Sequence, residues 1–186
     1  MYKRQVYREL PTAVAFPKST KDIQSLIKFV SENELSIIPR AAGTSLAGQC
    51  VGDGIVVDTK HFNQILEINA QELWVRVQPG VVRDELNLFL KSYGLFFGPN
   101  TSTANRCMMG GMVGNNSSGS TSIEYGTTRD HVIGMTAILS DGSKAVFNAK
   151  SSTEFFKKLC DTSFESKLYQ NIQSELSNPT VTREID

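Results

Sequence analysis

The chain has 186 residues, 40% apolar and 20% charged, with 19 Lys and Arg against 19 Asp and Glu. That suits one soluble globular domain, or two small lobes sharing a core. Zero net charge without a basic run excludes a cationic nucleic-acid surface. No apolar run reaches transmembrane length, and MYKRQVYREL is not a signal peptide.

In chain order, Ala13–Phe16 reads as a short strand stopped by Pro17. Ser19 opens a helix, with Asp22 as capping-box partner and Ile23, Leu26, Ile27 and Val30 as its core stripe. Ser36–Pro39 is a second strand, a glycine-rich loop follows, and Gly54–Asp58 is a buried strand, completing an α/β unit. Ile65–Asn69 and Leu73–Gln78 form a hairpin, Trp74 and Arg76 alternating with Val75 and Val77. After Pro79-Gly80, a helix spans Val82–Tyr93 with Val82, Leu86, Phe89, Leu90 and Tyr93 on its apolar face. Val132–Leu139 and Lys144–Phe147 pair across the turn at Asp141-Gly142. Thr153–Leu176 reads as an amphipathic helix, and SNPTVTREID shows no core pattern.

Cys50, Cys107 and Cys160 are too far apart for a zinc or iron–sulfur motif and are expected to be buried free thiols. With only His61 and His131 present, no metal site is expected.

Two glycine-rich segments carry the chemistry. In Gly98–Asp130, 20 of 33 residues are Gly, Ser, Thr or Asn, yet the run lies mid-chain and leads into an apolar strand. An ordered segment with so little side-chain bulk offers backbone N–H groups and hydroxyls to an anion. Gly110-Gly111 permits close approach, Asn115 to Gly119 form a polar arc, and a helix starting near Gly110 would present free N–H groups. The other segment is Pro39–Gly54. Gly43 and Gly48 have P-loop spacing, but Gln49 and Cys50 stand where Lys and Ser/Thr would hold a triphosphate. No GxGxxG occurs. A neutral phosphate cradle remains, with Thr44 and Ser45 as donors and Arg40 at its mouth. Two such walls suit an extended ligand with two phosphates and a planar end, a dinucleotide.

PRAAGTSLAGQ, VQPGV, GPNTSTANRCMMGGMVGNNSSGS, EYGTTRDHV and LSDGS together resemble the FAD-binding domain of the p-cresol methylhydroxylase/vanillyl-alcohol oxidase type. The match is closest to FAD-linked oxidases of the D-lactate dehydrogenase and glycolate oxidase branch, especially iron–sulfur-fused members. The resemblance implies an α+β fold with two lobes, a small α/β lobe and a larger antiparallel sheet with helices. It places the FAD-binding domain at 1–150, with lobes at about 6–70 and 71–150, and a helical continuation at 151–186 that ends before a substrate cap domain. The start looks clipped, since Val6–Leu10 resembles a segment that normally has sequence before it. FAD-binding positions implied are Pro39, Arg40, Ala41, Ala42, Gly43, Thr44, Ser45 and Leu46 at the pyrophosphate. Pro79 and Gly80 match a turn beside the cofactor. Pro99, Thr101, Ser102, Thr103, Gly110, Gly111, Gly114, Asn115, Asn116, Ser118, Gly119 and Ile133 line the adenosine and flavin portions. Some members attach flavin through a His in the first loop; Ala41, Ala42 and Gly43 stand there, so FAD is expected to be non-covalent.

The implied reaction of the parent protein is oxidation of a D-2-hydroxy acid, such as D-lactate, glycolate or D-2-hydroxyglutarate, by hydride transfer to flavin N5. The electron acceptor is unassigned. No catalytic base stands out, and His131 is assigned a structural role, so the fragment alone is expected to be inactive. An iron–sulfur cluster would belong only to the full-length parent. The expected location is cytoplasmic, or peripheral to the inner face of the membrane for the parent. Two alternatives stay open: a UDP-N-acetylenolpyruvoylglucosamine reductase-like flavoenzyme, and a non-catalytic flavin-binding module.

Overall fold

A computed structural model describes residues 9–185. Of the Val6–Leu10 segment, residues 6–8 lie outside the described residues. The chain forms two compact units, divided between Val132 and Ile133.

The first unit opens with β1 (Ala13–Ala15), α1 (Thr20–Glu32), β2 (Ile37–Arg40) and β3 (Ile55–Asp58). β3 lies in the middle, parallel to both neighbours, in the order β1-β3-β2. A central parallel strand is covered on both faces and needs an unbroken apolar run. Ile55, Val56 and Val57 supply it, each 5% exposed. The expected capping box forms at the start of α1: Asp22 N–H donates to Ser19 Oγ at 3.2 Å, and Ser19 N–H donates to Asp22 Oδ2 at 2.9 Å. Val30 and Leu26 of α1 then pack on Ile55, Val57 and Ile37.

β4 (Ile65–Asn69) and β5 (Trp74–Val77) form an antiparallel hairpin. Asn69 Oδ1 builds its turn by accepting from the N–H groups of Gln71 and Glu72 at 3.1 and 2.9 Å. Residues 70 and 71, expected at a lobe boundary, lie in this turn. Leu73 adopts φ 58 and leaves the strand to Trp74.

α2 (Arg83–Leu90) follows and tightens into a 3₁₀ turn at Lys91–Tyr93, ended by left-handed Gly94. Leu86 and Leu90 join Val81, Cys107, Met109 and Met112 in the main core, against Ile68, Val75 and Val77 of the hairpin. Tyr93, expected on the apolar face, is exposed because the helix changes pitch after Leu90; its ring lies 5.5 Å from Phe89. Val82 is the N-cap residue and only half-buried. Two short helices, α3 (Met109–Gly114) and α4 (Ser122–Tyr125), and a 3₁₀ turn at Thr128–His131 complete the unit.

The second unit holds the hairpin of β6 (Gly134–Ile138) and β7 (Lys144–Asn148), turned at Gly142 with φ 81. The single helix expected over Thr153–Leu176 is two helices, α5 (Ser152–Leu159) and α6 (Phe164–Leu176). Each has its own serine cap: Ser151 accepts from Glu154 N–H and Ser163 from Ser166 N–H. The helices are clamped by Lys158 Nζ to Glu165 Oε2 at 2.6 Å, and Phe155 and Phe147 pack on Tyr169. α7 (Pro179–Ile185) forms where no pattern predicted one. Cys50 and Cys107 are buried thiols as expected, but Cys160 is exposed at the break after α5. No helix among the described residues is long and apolar enough to cross a membrane.

Leu86 is 1% exposed at the centre of the main core. Leu86→Ala is expected to cost about 2–5 kcal/mol, read from the shift in a urea unfolding midpoint.

Candidate functional site: a neutral two-walled cradle

The site is built around residues 107–119. Their backbone adds to residues 79–83 as a short antiparallel ladder. Arg83 N–H donates to Cys107 O at 3.0 Å, Met109 N–H to Val81 O at 2.9 Å and Gly110 N–H to Pro79 O at 2.8 Å. A helix does start near Gly110, at Met109, but its first two N–H groups are engaged in this ladder rather than left for an anion.

Glycines set how closely the pieces meet. A Cβ on Gly110 would lie 2.5 Å from Pro79 Cβ. One on Gly80 would lie 2.6 Å from Thr59 O and 2.8 Å from Phe62 O, and one on Gly119 would overlap Asn100 O. These three glycines serve packing between protein segments. Gly111 differs: it is exposed, and its Cβ position faces Ala41 Cβ at 3.1 Å. Gly114 opens onto empty space. The first loop, the Pro79-Gly80 turn and the loop at residues 98–103 therefore all converge on residues 110–119.

The first loop leaves β2 at Arg40. Gly43 takes φ +65, and a Cβ there would lie 2.5 Å from Arg40 Nη2, so the guanidinium is stacked against this glycine. Pro39 is exposed at the strand end, Ala41 and Ala42 are half-buried, and Leu46 is exposed. Gln49 Nε2 donates to Asn115 Oδ1 at 3.3 Å and links this loop to the other wall. Neither residues 41–49 nor residues 110–119 contain Asp or Glu. The hydroxyls of Thr44 and Ser118 make no hydrogen bond among the described residues. A cradle with no carboxylate, spare hydroxyls and a backing guanidinium fits an anionic cofactor.

The other predicted residues divide between the interior and the surface. Pro99 is fully buried, and its carbonyl accepts from Arg83 Nε at 3.2 Å. Thr101 and Thr103 close a turn over Cys107, Thr101 Oγ1 lying 3.3 Å from its Sγ, while Ser102 is exposed. Asn116 adopts the left-handed φ 44 that Asn tolerates, and its Oδ1 accepts Arg129 N–H at 2.9 Å. Ile133 belongs to the second unit, where it is 69% exposed.

The sequence reading missed the supports. Arg83 reaches the carbonyls of Phe97 and Pro99, and Asn87 clasps Phe97 through both its amide groups at 2.7 and 3.2 Å. The only local signal was polarity on the otherwise core-facing side of a helix. Thr128, fully buried, donates to Ser117 O at 2.6 Å. Asp130 Oδ2 accepts from the N–H and hydroxyl of Thr127 at 2.7 and 2.9 Å. The backbone bond from Thr127, then its hydroxyl bond, hold the Asp130 carboxyl below its ordinary pKa. His131 Nε2 donates to Tyr125 O at 2.7 Å, and its ring packs 5.3 Å from Phe97, a structural placement.

Residues 11–147 match the FAD binding domain family. The chain belongs to it. Over 141 residues, 74% of this chain, it is 46% identical to a D-2-hydroxyglutarate dehydrogenase of Pantoea ananatis. A D-2-hydroxyglutarate dehydrogenase of Haemophilus influenzae is 42% identical over 83% of this chain, and the glycolate oxidase subunit GlcD of Bacillus subtilis 39% over 73%. The chain spans about one-seventh of the length of the first two, 14% and 15%, and 29% of the third. Among solved structures, 6-hydroxy-D-nicotine oxidase from Arthrobacter nicotinovorans superposes on 80% of this chain with TM-score 0.68 at 24% identity, covering 33% of that enzyme. An alkyldihydroxyacetonephosphate synthase superposes on 76% of this chain with TM-score 0.65 at 20% identity, covering 26% of it. The α+β fold and the family resemblance read from the motifs are both borne out.

Two outcomes follow from this geometry. Gly110→Ala is expected to destabilise the fold by about 1–3 kcal/mol through overpacking on Pro79, while Gly111→Ala moves the thermal midpoint far less. Differential scanning fluorimetry of the pair decides this. The Asp130 cap has a lowered pKa, so its stabilisation is present above the ordinary carboxylate pKa and is lost as pH falls through the folded value. Asp130→Asn should therefore flatten the acid limb of a plot of thermal midpoint against pH, leaving its slope above pH about 6 unchanged.

Proposed function

We propose that this chain is the FAD-holding part of a dehydrogenase that oxidises a D-2-hydroxy acid to the 2-oxo acid, with D-2-hydroxyglutarate the first candidate. The observation that carries the reading is 42–46% identity to D-2-hydroxyglutarate dehydrogenases, over 74–83% of this chain. D-Lactate and glycolate are the next candidates, from the weaker similarity to a mitochondrial D-lactate dehydrogenase of Saccharomyces cerevisiae and to the Bacillus glycolate oxidase protein GlcD.

The residues fit the cofactor. Backbone and hydroxyl groups at Pro39–Leu46 would hold the diphosphate, with Arg40 behind Gly43 offsetting its charge. Gly111, Gly114 and Ser118 would offer the second surface, and Pro79, Gly80 and Pro99–Thr103 support it. Ala41 and Ala42 carry no nucleophile, which favours non-covalent binding. Bound FAD supplies the hydride acceptor. This chain's own part is to orient the cofactor and to keep carboxylates away from its phosphates. FAD-binding residues are assigned to 1–150, with 151–186 a helical continuation, and the protein is assigned to the cytoplasm.

Titration of the purified chain with FAD, followed by quenching of flavin fluorescence, should show saturable one-to-one binding, with the flavin fully released by acid. No quenching at millimolar FAD would sink the cofactor assignment; flavin retained after acid would sink non-covalent attachment. For the substrate, the full-length protein should reduce an artificial electron acceptor with D-2-hydroxyglutarate and not with the L enantiomer.

A further inference from the structure

Residues 41–49 contain neither helix nor strand, yet they form one wall of the cradle. Their attachment to the other wall passes through side chains. Ser45 Oγ donates to Gln49 Oε1, Gln49 Nε2 donates to Asn115 Oδ1 at 3.3 Å, and Asn115 Nδ2 donates to Ser117 Oγ at 3.2 Å. Ser117 is itself rooted in the interior. Its N–H donates to Met112 O at 2.9 Å, and its carbonyl accepts both the N–H and the hydroxyl of Thr128 at 3.0 and 2.6 Å. Met112 and Thr128 are 1% and 0% exposed.

We infer that Gln49 is a positioning residue, tying the two loops into one preformed surface without itself touching the ligand. Only the identity of that ligand rests on the FAD reading above. The relay also has a direction. Every donor points from the first loop towards the second, so the Ser45 proton is engaged by Gln49 and both amide groups of Asn115 are occupied. Ser45 and Asn115, expected as cofactor contacts, become supports. Ser117, expected in the polar arc but not named among the cofactor contacts, keeps its hydroxyl proton and becomes a donor available to a ligand beside Thr44 and Ser118.

Gln49 and Asn115 are exposed, so their substitution leaves the core intact. Backbone hydrogen exchange is measured on the ligand-free chain for Gln49→Ala, Asn115→Ala and the double variant. Either single change should speed exchange in both residues 43–48 and 115–118, and the double change should add little, because one link is broken in all three. Gln49→Glu keeps the bond from Ser45 and can accept from a turned Asn115 amide, so it should restore most of the protection. Each substitution loosening only its own loop, or fully additive effects, would overturn the tie. In parallel, each alanine variant should bind FAD roughly fivefold more weakly, the double variant about the same. A wild-type chain that binds no FAD while both loops still loosen together would remove the cofactor reading and leave the tie standing.

Discussion

The cradle depends on backbone meeting backbone where no side chain intervenes. The circuit of contacts closes on itself. Thr59 N–H donates to Arg40 O at the end of β2, Gly80 sits on Thr59 and Phe62, Gly110 sits on Pro79, and Gly111 faces Ala41, next in sequence to Arg40. At Gly80 and Gly110 a methyl group would collide with backbone or ring atoms within 2.5–2.8 Å. Hydrogen bonds along the circuit contribute about 1 kcal/mol each. Their larger effect is geometric, since they fix the first loop relative to α3 before any ligand arrives.

That circuit explains why the surface is both neutral and accessible. Small residues at Ala41, Gly110 and Gly111 let the segments approach, and the exposed Gly111 and Gly114 leave backbone open beside the approach. An anionic ligand meets no carboxylate in either wall. The charge beside the first loop is Arg40, half-buried with its guanidinium against Gly43. A guanidinium in that position raises the potential of the whole loop without closing it through a single ion pair. This suits a diphosphate gripped along its length better than a terminal phosphate gripped at one point.

Much of this was legible in the sequence because its signals are local. The capping box at Ser19 and Asp22, the apolar run Ile55–Val57, the alternation around Val75 and Val77, and the Asp141-Gly142 turn each specify their element within a few residues. The glycine-rich segments were also marked by composition. What escaped was non-local. The ladder between residues 79–83 and 107–110 is three bonds long and has no alternating pattern, so nothing announced that the first amides of α3 were already used. Gly80, Gly110 and Gly119 looked alike with Gly111, although three face protein and one faces solvent. The break between α5 and α6 was missed because apolar spacing continues across Cys160–Ser163, while the decisive signal, the second serine cap at Ser163, is a single residue.

The arrangement also shows how a loop without secondary structure can present a precise surface. Fixing a residue's backbone costs about 1–2 kcal/mol, so ordering residues 41–49 at the moment of binding would consume on the order of 10 kcal/mol of affinity. Here the cost is met during folding, shared among the glycine contacts, the left-handed turn at Gly43 and the Gln49–Asn115 link. Binding then finds a site already in place. In the proposed reading, the packing glycines and the side-chain relay are therefore as much a part of cofactor recognition as the hydroxyls at Thr44 and Ser118.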